Sequence, residues 1–287
     1  MKIGWVPSDI YTFVDSETDD IEEYQRVAEE TGSNVVIFDM EEARRRYDYV
    51  HRPSQSRRSA GQARNMFQDW AIENGIDFYV VLDDDTSGFQ RKRFGMYKGI
   101  PSDLNIIETF NAVEVFMRKR KIGLFGLSQT GDMFGYHNKI FRHKVMNTTF
   151  YYVPYIYRGE RGVQDDDTSM FVGIMNEGLF SGSCADGLVL NQTASATQAG
   201  GLTDLYNECK LLNKALVTVI QFPSAIIAER QVMNGGRIHH RIANRYLEPR
   251  IIRSLNGRDN IAWDTYEEDF PFTNEPNRKY LQDNDTI

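Results

Sequence analysis

Short apolar runs alternate with amphipathic segments along the first 82 residues. "KIGWV" at 2–6, closed by the turn signal "PSD", reads as a buried first strand. In "DSETDDIEEYQRVAEETG", Ile21, Tyr24, Val27 and Ala28 share one face at helical spacing, with acids in the first turn and Gly32 just past the end. That pattern predicts an amphipathic helix. "NVVIF" at 34–38 is the second predicted strand. After a basic loop, "SAGQARNMFQDWAIENG" carries Ala60, Ala63, Met66, Phe67, Trp70 and Ala71 at three- and four-residue intervals, so a second helix packs one side on a core and stops at Gly75. "DFYVVL" at 77–82 is the third strand. Strand, helix, strand, helix, strand predicts a mostly parallel sheet flanked by helices. Ligands of such sheets bind beyond the carboxyl ends of the strands.

Further along, "SDLNIIETFNAVEVFMRKRK" reads as a capped helix and "IGLFGLS" at 122–128 as a strand. "TTFYYVPYIYRG" at 148–159 is rich in aromatic and β-branched residues and reads as a strand, with Pro154 marking a bulge or an edge. "QDDDTSMFVGIMNEG" opens a helix with acids and places Phe171, Ile174 and Met175 on a common face. "GGLTDLYNECKLLNKA" gives another helix and "LVTVIQF" at 216–222 another strand. With no repeat and no linker before about residue 255, the predicted partition is one α/β domain over 1–255 and an acidic C-terminal extension over 256–287.

At 287 residues and 41% hydrophobic content the chain supports a sizeable core. No stretch approaches the roughly 18–20 apolar residues of a membrane span. Cys184 and Cys209 have no metal-type spacing. The expectation is a protein of the reducing cytoplasm, away from membranes. A net charge of −8 argues against a polyanionic partner, because nucleic-acid surfaces need cations to replace counterions. Its distribution changes that picture: eight acids against Arg258, Arg278 and Lys279 in residues 258–287 account for five of the eight charges. The body is near neutral and holds basic runs at 44–46, 52–58, 91–98 and 118–121, each of which also suits a solvated surface.

Candidate chemistry centres on two acidic clusters. Asp83, Asp84 and Asp85 stand at the end of the third strand, where three carboxylates repel one another unless a positive group compensates. A hard divalent cation does so with oxygen ligands, usually one or two carboxylates together with phosphate and water. In an extended tip Asp83 and Asp85 face one way and Asp84 the other. The alternative is a polar turn. Asp165, Asp166 and Asp167 open a helix, where acids cap and complement the dipole, or where one of them acts as a general base. Arg57, Arg58 and Arg64, in "SQSRRSAGQARN", suit a diphosphate or an ordinary helix surface. His239 and His240 are nitrogen donors or structural histidines, and Arg237, Arg241 and Arg245 form one basic stripe if their segment is helical.

The order "SQSRRSAGQARN", a helix with Trp70 and Ala71, then "DFYVVLDDDTSGF" resembles the nucleotide-binding half of a GT-A glycosyltransferase. "VPSDIYTF", "QDDDTSMF" and "NQTASATQAGG" at 191–201 narrow the resemblance to the TET-associated glycosyltransferases, whose phage members are implicated in glycosylating 5-hydroxymethylcytosine in DNA. The resemblance spans about residues 3–215 and implies a GT-A-like, Rossmann-like domain. It implies a divalent metal, Mn²⁺ or Mg²⁺, on Asp83 and Asp85, completed by His239 or His240. Pro7, Ser8, Arg57, Arg64, Asp83 and Asp84 would bind the nucleotide sugar, a UDP-sugar, and Asp166 or Asp165 would be the catalytic acid near the acceptor. "QDDD" lacks the glutamate that many relatives carry there, which leaves the identity of the base open among the three aspartates. A protein or polysaccharide acceptor, a metal-dependent nuclease or nucleotidyltransferase, and a binding module without catalysis stand as alternatives.

Overall fold

The computed structural model describes residues 6–47, 60–83, 86–93, 96–99, 106–129, 140–142, 144–146, 148–157, 165–177, 179–192, 215–231 and 237–243. Predicted features at 2–5, 200–214 and 256–287 lie outside them. Val6 is described, but it is exposed and leads into a 3-10 turn at Pro7–Asp9, not into a sheet. The first described strand is β1, Tyr11–Asp15, paired in parallel with β2, Asn34–Phe38. Between them runs α1, Ile21–Thr31, with Glu22 and Glu23 in its first turn. Gly32 ends it at φ 73°, donating its N–H to the Ala28 carbonyl, a left-handed cap that glycine adopts without a Cβ penalty. The expected buried face is only partly realised: Ala28 is buried, whereas Tyr24 and Val27 are exposed.

Helix α2, Met40–Arg46, is not among the elements expected from the sequence, although its end signals are local. Asp39 caps it by accepting from the Glu41 and Glu42 N–H groups, and Arg44 to Arg46 occupy its last turn. The longer α3, Ala60–Glu73, has two working faces. Its predicted apolar side meets the small sheet, where Phe13 lies 4.4 Å from Phe67 and 5.4 Å from Trp70 between ring centroids. Its most buried side is mainly polar, comprising Gly61, Gln62, Asn65, Gln68 and Ala71, and Gln68 Nε2 donates to the Tyr157 carbonyl at 3.1 Å.

The larger sheet takes in β3, Phe78–Val81; β4, Thr86–Arg93; and β5, Met96–Gly99. Past α4, Ile106–Arg120, it continues with β6, Leu124–Gln129; β7, Ile140–Arg142; and β8, Thr149–Tyr152. After α5, Asp166–Asn176, comes β9, Ser181–Gln192. Their order is β3-β8-β6-β9-β4-β5, with β7 beside β9. The expectation of one mostly parallel sheet is therefore corrected: β3 joins β8 antiparallel rather than β1 and β2, and of the larger sheet's described pairings only β6 with β9 is parallel. The fold is mixed α/β.

Side-chain alternation along these strands separates two cores. Phe78, Val80, Phe125, Leu127, Phe150 and Tyr152 pack with Phe110, Val113, Phe116 and Met117 of α4. Tyr79, Val81, Leu124 and Tyr151 pack on the opposite face with Met170, Phe171, Ile174 and Met175 of α5. Residues 215–221 also lie there and are helical, which corrects the strand expected at 216–222. The run Ala-Leu-Val-Thr fits either period. Here Ala215, Val217 and Thr218 are buried and Ser169 Oγ donates to Gln221 Oε1 at 2.6 Å, so packing outweighs the few tenths of a kcal/mol that disfavour β-branched residues in helices. A hairpin of β10, Ile226–Gln231, and β11, Arg237–Ile242, completes that side. No helix among the described residues is long and apolar enough to cross a membrane.

Candidate functional site

Tyr79 and Val81 point to the α5 side of the larger sheet, and Asp83 continues the same parity just beyond the carboxyl end of β3. α5 begins on that side with Asp166. Arg64, one turn into α3, reaches both. Its Nη2 donates to Asp83 Oδ1 at 3.1 Å and its Nη1 to Asp166 Oδ2. A planar guanidinium with parallel N–H groups can serve two carboxylates in this way, where an ammonium would act as a single point charge. The three side chains come from positions 19 and 102 residues apart.

Their surroundings differ. Asp166 is buried, and burial pushes its carboxyl above the ordinary aspartate range. Arg64 opposes that rise, while the negative charges of Asp167 and Asp83 add to it. The outcome is a carboxylate more basic than one in water. The Asp83 side chain keeps 27% of its exposure against 10% for Asp166, so Asp83 is the member of the pair that a ligand from solvent can reach.

Each of the three consecutive aspartates has a different partner. Asp167 Oδ2 pairs with Lys144 Nζ at 2.6 Å, and its Oδ1 accepts the Thr168 N–H at 2.7 Å. Asp165, the residue before α5, sits at φ 55°, ψ 38°, a left-handed conformation that costs a non-glycine residue on the order of 1 kcal/mol. Its main-chain carbonyl accepts the Thr168 and Ser169 N–H groups at 3.0 Å each, so it caps the helix through the backbone. Its carboxylate Oδ2 lies 3.1 Å from Nδ1 of buried His240, close enough to pair but off the line of a hydrogen bond. His240 Nε2 lies 3.3 Å from Thr168 Oγ1.

The adjacent histidines diverge because β11 is a strand. His240 turns to Asp165, while His239 shares the other face with Arg241 and donates from Nδ1 to the His240 carbonyl at 2.8 Å. Arg237 and Arg241 belong to a strand, so they form no helical stripe; Arg241 pairs with Glu229 at 2.7 Å, and Arg245 lies outside the described residues. Pro7 and Ser8 lie in the exposed turn leading into β1, where the Ser8 carbonyl accepts from Asn34 Nδ2 at 2.8 Å. Arg57, Asp84 and Asp85 lie outside the described residues.

Asp83 presents oxygen donors of the kind a hard divalent cation takes, and its charge is met here by Arg64. Two carboxylates already converge there on one positive group, the Arg64 guanidinium. Among the described residues no set of three or more His, Cys, Asp or Glu side chains forms a cage, so such a cation would complete its shell from residues beyond these or from phosphate and water. Lys144 and Thr168 escaped the sequence reading. Thr168 adjoins the acidic cluster and was within reach of it, whereas nothing around Lys144 marks it out. No family model matches the chain. No curated protein matches it either.

Proposed function

We propose that the chain is a glycosyltransferase that moves a sugar from a nucleotide-sugar donor, a UDP-sugar, to the hydroxymethyl group of 5-hydroxymethylcytosine in phage DNA. The observation that supports this reading is the convergence of Asp83, Arg64 and Asp166 on one side of the larger sheet. These are the residues that the GT-A resemblance assigns to metal, nucleotide and acceptor. A divalent cation on Asp83 and Asp85 would supply, when bound, charge neutralisation for the departing nucleoside diphosphate.

The chain's own residues do the rest. Arg64 offers its fork of N–H donors to the diphosphate and holds it in register. Asp166, made more basic by burial, accepts the proton of the acceptor hydroxyl as that oxygen bonds to the anomeric carbon and the bond from that carbon to the phosphate oxygen breaks. His240 and Lys144 hold the residues on either side of the base, Asp165 and Asp167.

A protein or polysaccharide acceptor is the second reading. It is favoured by the net charge of −8 and by arginines of two basic runs that are tied into ion pairs, Arg44 with Glu17, Arg46 with Asp69 and Arg118 with Asp77. Incubation with a panel of labelled UDP-sugars and Mn²⁺, offering hydroxymethylated DNA, unmodified DNA and a glycan fraction, separates these. Label on hydroxymethylated DNA alone is expected. Label on glycan alone transfers the proposal to the second reading, and DNA cleavage without sugar transfer replaces both with a nuclease.

A further inference from the structure

We propose that Arg64 is a resident counter-ion that excludes divalent metal from Asp83 until a diphosphate draws the guanidinium away. This rests on the nucleotide-sugar reading of the site and adds to it an order of binding. Arg64 Nη2 sits 3.1 Å from Asp83 Oδ1, so a cation taken up by that carboxylate would stand beside the guanidinium. The other arm, Nη1, is held by buried Asp166, so the side chain is anchored at both ends. A doubly charged ion entering beside a buried guanidinium meets strong repulsion, because the surroundings screen poorly. Turning Nη2 away from Asp83 without a replacement anion would give up one charge-assisted hydrogen bond of a largely buried guanidinium, which is unfavourable too.

A diphosphate resolves both difficulties. Its paired anionic oxygens match the guanidinium fork as a carboxylate does, so Arg64 can exchange Asp83 for phosphate while Asp83 takes the metal. Metal and diphosphate then favour each other's binding reciprocally, through a coupling that passes through one side chain. The apo protein is protected from holding metal alone.

The test reads Mn²⁺ affinity, not turnover, from the spectroscopic signal of free Mn²⁺ in the full chain. Wild type, Arg64→Gln and Asp83→Asn are each titrated with and without UDP. Without UDP, Arg64→Gln is expected to bind Mn²⁺ on the order of tenfold or more tighter than wild type, and UDP is expected to tighten binding in wild type far more than in the variant. Equal or weaker Mn²⁺ binding by Arg64→Gln, with Asp83→Asn abolishing it, overturns the exchange while leaving the nucleotide-sugar reading intact. No Mn²⁺ binding by any form, with or without UDP, overturns the exchange and the metal part of that reading together. Since Arg64→Gln leaves two carboxylates facing each other, a second measurement uses wild type alone. The arginine side-chain nitrogen resonances of Arg64, identified by their loss in Arg64→Lys, are expected to shift on adding Mg²⁺ with UDP and to stay in place with Mg²⁺ alone. A shift with Mg²⁺ alone overturns the proposal.

Discussion

Asp166 carries the clearest consequence at the level of single residues. Burial raises its pKa in the folded chain, so the native state holds a proton there more firmly than the unfolded state does. Stability is then unaffected well below the ordinary aspartate pKa of about 4 and falls as pH rises from there through the folded value, before levelling off. Asp166→Asn is expected to lose that descending segment, which denaturation at a series of pH values would record. An unchanged profile would show that another group sets it. The same substitution removes the proposed base, so kcat should fall by about 10²–10⁴ with little change in the KM for donor. His240 and Lys144 work differently, since they touch the neighbours of Asp166 and act by holding them in place.

The amino end of α5 turns on one left-handed residue. Asp165→Gly and Asp165→Ala both remove the contact with His240, but only glycine accepts φ 55° without strain. The glycine variant is expected to be about 1 kcal/mol more stable than the alanine variant. Equal stabilities would mean that the positive φ is not maintained. A second test lies at the start of β6, where a Cβ on Gly123 would stand 1.7 Å from the Tyr155 carbonyl oxygen. Gly123→Ala should cost about 1–3 kcal/mol in chemical denaturation, as overpacking does. A neutral result would contradict the close packing of β6 on the turn after β8. These elements also mark how far the sequence was legible. The helix starting at Asp166 and the strand running up to Asp83 were readable, because caps, acids and apolar periodicity are local signals. Strand pairing was not, because alternation states which face a residue takes and not which strand lies beside it; β3 pairs with β8, some 70 residues on. The helical 215–221 was set by packing against α5 more than by propensity, whereas α2 carries local cap and charge signals on a run of only seven residues.

At the scale of the whole molecule, the proposed nucleotide-sugar site lies at one face of the larger sheet, where two carboxylates share one guanidinium. The larger sheet is covered by α4 on one face and by α5, residues 215–221 and the β10–β11 hairpin on the other, and Asp83 stands at that second face with Arg64 and Asp166. The two ends of the segment carrying β3 are chemically unlike. Asp77, before the strand, is engaged by Arg118 through two contacts of 2.6 Å on an exposed surface, whereas Asp83, after it, shares its guanidinium with a buried carboxylate. Calorimetric titration of UDP in the presence of Mn²⁺ compares them directly. Wild type and Asp77→Asn are expected to bind UDP alike, and Asp83→Asn on the order of tenfold or more weaker, a loss of about 1.4 kcal/mol. Absence of UDP binding by wild type, or equal binding by all three proteins, would contradict a nucleotide-sugar site at Asp83.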